Sequence, residues 1–424
     1  MKKALLLLLP LLFPCLLFAQ TEPANYKQAV KQFTDLYNNA DANAIFSMFD
    51  AKMQTALPLE KTQQVMNQLK TQLGDIKSSE FKSANAMLAT YKTTFTNGIF
   101  ALKIGLDAEN KMNGLLVQPY QEEKTVAVVD PSLTETPISL DVTDASLSGS
   151  LIVPKSSIGK MPVVLIIAGS GPTDRNGNSS LGISANSYFL LADELGKAAI
   201  ATLRYDKRGV GESKTTKAMV NIHFEDFVND ADALIKQLKA DPRFSKVIVL
   251  GHSEGSLIGM LAAEKEKVDA YISLSGAGDA IDKILEVQLK NQSPEQYKLS
   301  INRLDSLKKG LTVKAAENDP LFRPSVQPYL ISWLKYNPQI EIAKLKVPVL
   351  ILQGTTDFQV SVGDAQNLKK AKPDATLVLV EGMNHVLKQA PADRAKNAAT
   401  YQDPSLPIDA KLVTAITQFV NQLK

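Results

Sequence analysis

Six short apolar runs between positions 162 and 380 limit what this chain can fold into. They fall at 162–168, 199–205, 246–250, 268–274, 347–353 and 375–380. Several are continuous rather than alternating, as in Val247-Ile248-Val249-Leu250. A strand that is apolar on both faces is buried on both faces, which is the pattern of a parallel sheet covered by helices above and below. Stretches with apolar residues at three- and four-residue spacing lie between the runs, at 187–197, 224–239, 256–264 and 363–371. Another, at 410–423, closes the chain, and an opening hairpin is expected at 138–142 and 146–153. The rhythm reads as α/β, a doubly wound and mostly parallel sheet. One interval, about 278–344, is too long for a single crossover and is mostly helical in pattern. It reads as a helical cap over the carboxyl ends of the strands, where such insertions exclude water and shape a pocket.

The first part of the chain has another character. Helices are expected at 26–39, 43–49 and 59–73, then a strand at 88–95 and a hairpin at 98–107 and 112–120. Helices followed by a meander make a small α+β domain, placed at 24–122. Its order of elements resembles cone-shaped nuclear-transport-factor-like or cystatin-like modules. It holds neither histidine nor cysteine, so no catalytic constellation is expected there. A stretch rich in turn formers, 129–137, reads as a linker, and the α/β domain is placed at 136–424.

The N-terminus carries Lys2 and Lys3, an apolar core from 4 to 18 and Ala19. That layout predicts a signal peptide over 1–19 and an exported protein, periplasmic or secreted. The apolar core is short for a membrane span and contains Pro10 and Pro14, so no stable membrane insertion is expected after cleavage. Cys15 is the only cysteine and would leave with the signal. A mature chain without thiols has no disulfide, no cysteine nucleophile and no thiolate metal site. Forty-seven basic residues against 44 acidic ones, without a dense basic run, argue against nucleic acid as a partner.

Chemistry at a serine hydroxyl needs a nucleophile on a tight exposed turn, a base, and an acid that orients the base. Gly251-His252-Ser253-Glu254-Gly255 follows one apolar run and precedes a helix, so Ser253 is the candidate nucleophile. Three histidines exist. His252 adjoins Ser253 and leaves the turn in another direction, a position that suits lining the pocket or supporting the turn. His223 opens a helix and reads as a surface or capping residue. His385 follows the last run, in Gly382-Met383-Asn384-His385, and is the expected base. Asp357 is the first carboxylate after the 347–353 run and the expected acid, whereas Asp364 starts a helix and reads as its cap. The order Ser253, Asp357, His385 is that of α/β hydrolases. The oxyanion needs backbone N–H donors, assigned to Glu254 and to Ser170 in the loop Ala168-Gly169-Ser170-Gly171-Pro172. No metal or organic cofactor is required.

Taken together, Gly169-Ser170-Gly171-Pro172, Tyr205-Asp206-Lys207-Arg208-Gly209-Val210-Gly211-Glu212-Ser213, Gly251–Gly255, Asp357 and Gly382–His385 resemble the α/β-hydrolase superfamily, in its serine aminopeptidase-like and lysophospholipase-like branch. The resemblance spans 136–424. It implies that Ser253, Asp357 and His385 form the triad and that Asp206 and Arg208 belong to a structural turn. Many relatives have His-Gly at the oxyanion loop, and here Ala168 precedes Gly169. The expectation is a serine hydrolase acting on a small-molecule ester or acyl substrate. Alternatives are a peptidase, an aminopeptidase or an acyltransferase on the same triad, or a non-catalytic envelope-binding protein. The N-terminal domain is expected to meet an envelope partner. Two further segments invite a role. Asp174–Asn178 reads as a solvated turn or a substrate contact, and Trp333 as part of an apolar face packing on the sheet or an acyl-chain contact.

Overall fold

The computed structural model describes residues 22–84, 88–120, 128–156, 159–290, 292–319 and 321–423. The segment read as a signal peptide lies outside them. The chain divides into two compact units, with the division in sequence at residue 124.

In the first unit, α1 (Ala24–Asn38), α2 (Ala42–Met48), α3 (Ala51–Ala56) and α4 (Leu59–Leu73) precede a meander of β1 (Ile76–Ala84), β2 (Ala89–Phe95), β3 (Gly98–Leu106) and β4 (Met112–Pro119). The four strands are antiparallel in the order β1-β2-β3-β4. Along β2, buried and half-buried residues alternate, as the two-residue period of a strand with one core face demands. Phe33, Tyr37, Ile45 and Phe49 from the helices fill the core with Tyr91, Phe95, Leu102 and Ile104 from the sheet.

The second unit opens with β5 (Leu133–Val142) and β6 (Ala145–Pro154), then β7 (Met161–Ile167), α5 (Ser187–Lys197), β8 (Ala201–Tyr205), β9 (Lys214–Thr215), α6 (Phe224–Ala240), β10 (Phe244–His252), α7 (Glu254–Glu266) and β11 (Ala270–Leu274). A helical insertion follows: α8 (Ile281–Leu289), α9 (Pro294–Lys308), α10 (Gln327–Trp333) and α11 (Pro338–Lys344). The chain ends with β12 (Val349–Gly354), α12 (Val362–Ala371), β13 (Thr376–Val380), α13 (Arg394–Ala399) and α14 (Ala410–Gln422). The sheet order is β13-β12-β11-β10-β7-β8-β6-β5, with β9 beside β6. From β8 to β13 the pairs are parallel, while β6 runs antiparallel to β5, β8 and β9.

Alternation sorts each strand onto two helix layers. Val163, Leu165 and Ile167 of β7 join Val247 and Val249 of β10 in a core closed by α6, α7 and α12. Val164 and Ile166 join Ile248, Leu250, Ile272 and Leu352 in a core closed by α5 and α14. Each fully buried aliphatic side chain contributes about 1.5–3 kcal/mol. Both faces of the sheet are therefore occupied, and the strand ends are left to carry function.

One boundary differs from the sequence reading. The stretch 129–137 is not all linker, because Leu133 to Pro137 are already paired in β5. This is the edge strand, where Pro137 sacrifices no ladder bond in the sheet interior. Among the described residues no helix is long and apolar enough to cross a membrane.

Candidate active site

Ser253 sits between β10 and α7 with φ 56° and ψ −122°, a conformation most L-residues avoid. Its neighbours explain how the turn is reached. A Cβ on Gly251 would run into the Gly255 carbonyl, and one on Gly255 would run into the carbonyls of Ile167 and Ala168. The Ser253 N–H donates to the Leu274 carbonyl at 3.0 Å, and the Ser253 carbonyl accepts from the Ser256 N–H at 3.0 Å.

Asp357 stands three residues beyond β12 and is almost fully buried. Its Oδ1 accepts the N–H groups of Gln359 at 2.8 Å and Val360 at 3.0 Å. Its Oδ2 accepts from Gln353 Nε2 at 3.3 Å and meets His385 Nδ1 at 2.8 Å. Burial works to raise this carboxyl, but the charge and hydrogen bond of His385 and the two backbone donors outweigh it and hold it below the ordinary carboxylate range. Asp357 is thus an acceptor for the far nitrogen of His385, which leaves Nε2 for other work.

His385 is carried by the loop after β13. Asn384 holds that loop, donating to Asn397 Oδ1 at 3.1 Å and Thr400 Oγ1 at 2.7 Å. Asn397 in turn donates to the Thr356 carbonyl at 3.0 Å. It therefore ties the Asp357 loop to the His385 loop. The sequence did not announce α13, a single turn and a half of small and polar residues.

His252 leaves the Ser253 turn and lies between these groups. Its Nε2 donates to the His385 carbonyl at 3.0 Å, and its ring centroid is 4.6 Å from that of His385. Its Nδ1 accepts from the Tyr188 hydroxyl at 2.8 Å, and the Tyr188 oxygen accepts the Gly169 N–H at 3.2 Å. Burial and the neighbouring His385 push His252 down to about 3, so the ring is neutral and its tautomer is set by its two partners.

Gly169 brings the loop after β7 against Ser253, since a Cβ placed on it would lie 3.1 Å from Ser253 Cβ. Ser170 follows on an exposed bend, and Glu254 is the first residue of α7, where a backbone N–H has no acceptor within the helix. The Lys207 ammonium donates to the Gly169 carbonyl at 3.0 Å and to Glu254 Oε1 at 3.3 Å. It also lies 4.5 Å from the centre of the Phe227 ring.

The remaining candidates fall into place as framework. His223 is exposed, its N–H bound by Asp226 at the start of α6. Asp364 caps α12 with Ser361 and also accepts the Gly278 N–H at 3.0 Å. Trp333 of α10 stacks on Phe224 of α6, with ring centroids 5.6 Å apart and planes within 10°. Segment 174–178 is half-buried and tied into the framework. The Arg175 guanidinium binds Asp206 at 2.6 Å and Glu212 at 2.8 Å, and Asn176 accepts from the fully buried Arg204. Arg208 pairs with Asp230 through two hydrogen bonds, both residues buried.

Residues 180–389, which carry Ser253, Asp357 and His385, match the family described as serine aminopeptidase, S33. This part of the chain belongs to the serine aminopeptidase-like α/β hydrolases. Residues 30–115 match a second family, described only as a protein of unknown function (DUF3887). Esterase EstD of Thermotoga maritima is similar at 24% identity over 376 residues, 85% of this chain and 88% of that one. Monoglyceride lipase of Rattus norvegicus is 28% identical over 217 residues, 47% of this chain and 71% of that one. In fold, the hydrolase resembles a hypothetical protein from Pseudomonas aeruginosa, with a TM-score of 0.50 and 16% identity over 73% of this chain and 100% of that one.

Proposed function

We propose that this protein hydrolyses carboxylic esters through an acyl-enzyme on Ser253. The reading is carried by the buried Asp357–His385 contact of 2.8 Å, taken together with a serine held at positive φ on a strand-to-helix turn. Ser253 Oγ attacks the carbonyl carbon while His385 Nε2 takes its proton. The tetrahedral oxyanion accepts the N–H groups of Ser170 and Glu254. His385 returns the proton to the leaving alcohol, and the acyl group stays on Ser253. Water, deprotonated by His385, then attacks the ester so formed, releasing the acid and restoring the serine. The balance is one ester and one water to one acid and one alcohol. Asp357 keeps His385 in the tautomer that presents Nε2 and stabilises the imidazolium.

The names of the two curated relatives, an esterase and a monoglyceride lipase, favour esters over amides. The family description favours a second reading, cleavage of aminoacyl amides on the same residues. The charged and apolar N-terminal segment supports export, with the domain at 30–115 meeting an envelope component. The test is hydrolysis of p-nitrophenyl acetate and butyrate and of aminoacyl p-nitroanilides, together with fluorophosphonate labelling. Wild type should cleave the esters and take the label, and Ser253→Ala should do neither. Equal ester turnover by Ser253→Ala ends the proposal.

A further inference from the structure

The sequence Tyr205-Asp206-Lys207-Arg208 places three charged residues in a row, and all three are buried. Asp206 and Arg208 each answer to a partner of opposite charge in the framework, Arg175 and Asp230. Lys207 answers to the oxyanion side of the site. An ammonium out of water is costly unless its donors are met, and an apolar residue would fill the same space without that cost. What the charge gains here is position.

Two bonds from one nitrogen define that position. Lys207 Nζ donates to the carbonyl of Gly169 and to the carboxylate of Glu254. The described peptide bonds are all trans, so the C=O of Gly169 and the N–H of Ser170 belong to one plane and point in opposite directions. Drawing the Gly169 oxygen toward Lys207 turns the Ser170 N–H the other way. The other side of Gly169 is held too, its N–H donating to the Tyr188 hydroxyl. A cation on the carbonyl also polarises the whole amide, which makes its N–H a stronger donor. The same cation binds the side chain of Glu254, whose backbone N–H opens α7 next to Ser253.

We propose that Lys207 is the positioning residue of the oxyanion hole, joining the Ser170 and Glu254 donors through one buried ammonium that touches neither substrate nor Ser253. The proposal rests on the serine-hydrolase reading given above. It assigns Lys207 work in the transition state rather than in substrate binding, because the oxyanion forms only there. Tyr329 of the cap helix α10 stands beside Glu254, and burial together with that carboxylate raises its hydroxyl well above the ordinary value. Through Tyr329 the helical insertion therefore reaches the Glu254 side of the same charge pair.

The experiment compares full-length wild type with Lys207→Met and Lys207→Gln. It measures kcat and KM for p-nitrophenyl butyrate and Ki for an alkyl trifluoromethyl ketone, whose hydrate-like adduct carries an oxyanion. Circular dichroism checks the fold. Lys207→Met should lose kcat by about 100-fold, with KM within about threefold and Ki raised in step with the kcat loss. Lys207→Gln keeps a donor for the Gly169 carbonyl without the charge. It should lie between the other two, and it supplies the test if the methionine variant does not fold. A folded variant with wild-type kcat, or one whose kcat falls while Ki stays put, overturns the assignment to Lys207 alone. A wild type that neither cleaves esters nor takes a fluorophosphonate overturns the hydrolase reading, and this proposal with it.

Discussion

His252 is bonded to the backbone of His385, ring nitrogen to carbonyl at 3.0 Å, although 133 positions separate them. The residue beside the candidate nucleophile thereby braces the loop of the candidate base. Tyr188 completes the brace, bridging His252 and Gly169 through one hydroxyl. Tyr188→Phe removes that oxygen and leaves a buried N–H and a buried ring nitrogen without partners. The expected cost is about 1–3 kcal/mol, read as a lower urea midpoint with unchanged slope. A midpoint equal to that of wild type would show that the bridge adds nothing.

His252 also sets a pH dependence. Its ordinary value of 6.5 falls to about 3 in the fold, so between these values the unfolded chain binds a proton that the folded chain refuses. Stability is then fully present above pH 6.5 and declines as pH falls toward 3, by up to about 1.4 kcal/mol per unit. Asp357, held below its ordinary range, acts in the same direction, its contribution being lost as pH falls through its folded value. Urea unfolding of wild type and His252→Asn at pH 7, 6 and 5 tests this. The amide carries no titration, so the variant's stability should fall less steeply over the same steps.

Buried and exposed ion pairs should part company. Arg208 and Asp230 pair with side chains 2% and 1% exposed, whereas Lys31 and Asp35 pair with side chains 79% and 61% exposed. Asp230→Ala leaves a buried guanidinium without its paired carboxylate, with only the Thr143 carbonyl at 3.4 Å still accepting from it, and should cost about 3–5 kcal/mol. Asp35→Ala should cost less than about 0.5 kcal/mol. Thermal unfolding of the two variants side by side decides it. Similar losses would mean that burial does not govern this pair.

Gly255 permits the contact between the Ser253 turn and the end of β7. Gly255→Ala would drive a methyl group into the carbonyls of Ile167 and Ala168, so the turn must shift. Ester turnover should fall by at least about 100-fold, since a displacement near 1 Å carries a penalty of that size. Retained turnover would show that the backbone yields without moving Ser253.

Much of this site was legible because it rests on local patterns. Ser253, Asp357 and His385 each follow an apolar run, and the runs formed strands within two residues of the expected ends. What stayed hidden depends on partners far apart in the chain. Nothing near Tyr188 or Lys207 says that each will grip Gly169. Asn397 lies on a short helix of small and polar residues that carries no periodic signal. Strand β1 was missed for a related reason: Lys77, Ser78, Ser79 and Glu80 are polar, and the strand is an edge whose pairing is broken twice by shifts in register. The segment 174–178 looked like a turn that water would claim, until Asp206 and Arg204 arrived from another strand end to hold it.

The conformation of Ser253 has a consequence for the stability of the chain. A backbone at φ 56° and ψ −122° costs a serine about 1–3 kcal/mol that a glycine would not incur. Replacement by glycine at this one position should therefore leave a sturdier molecule that can no longer react.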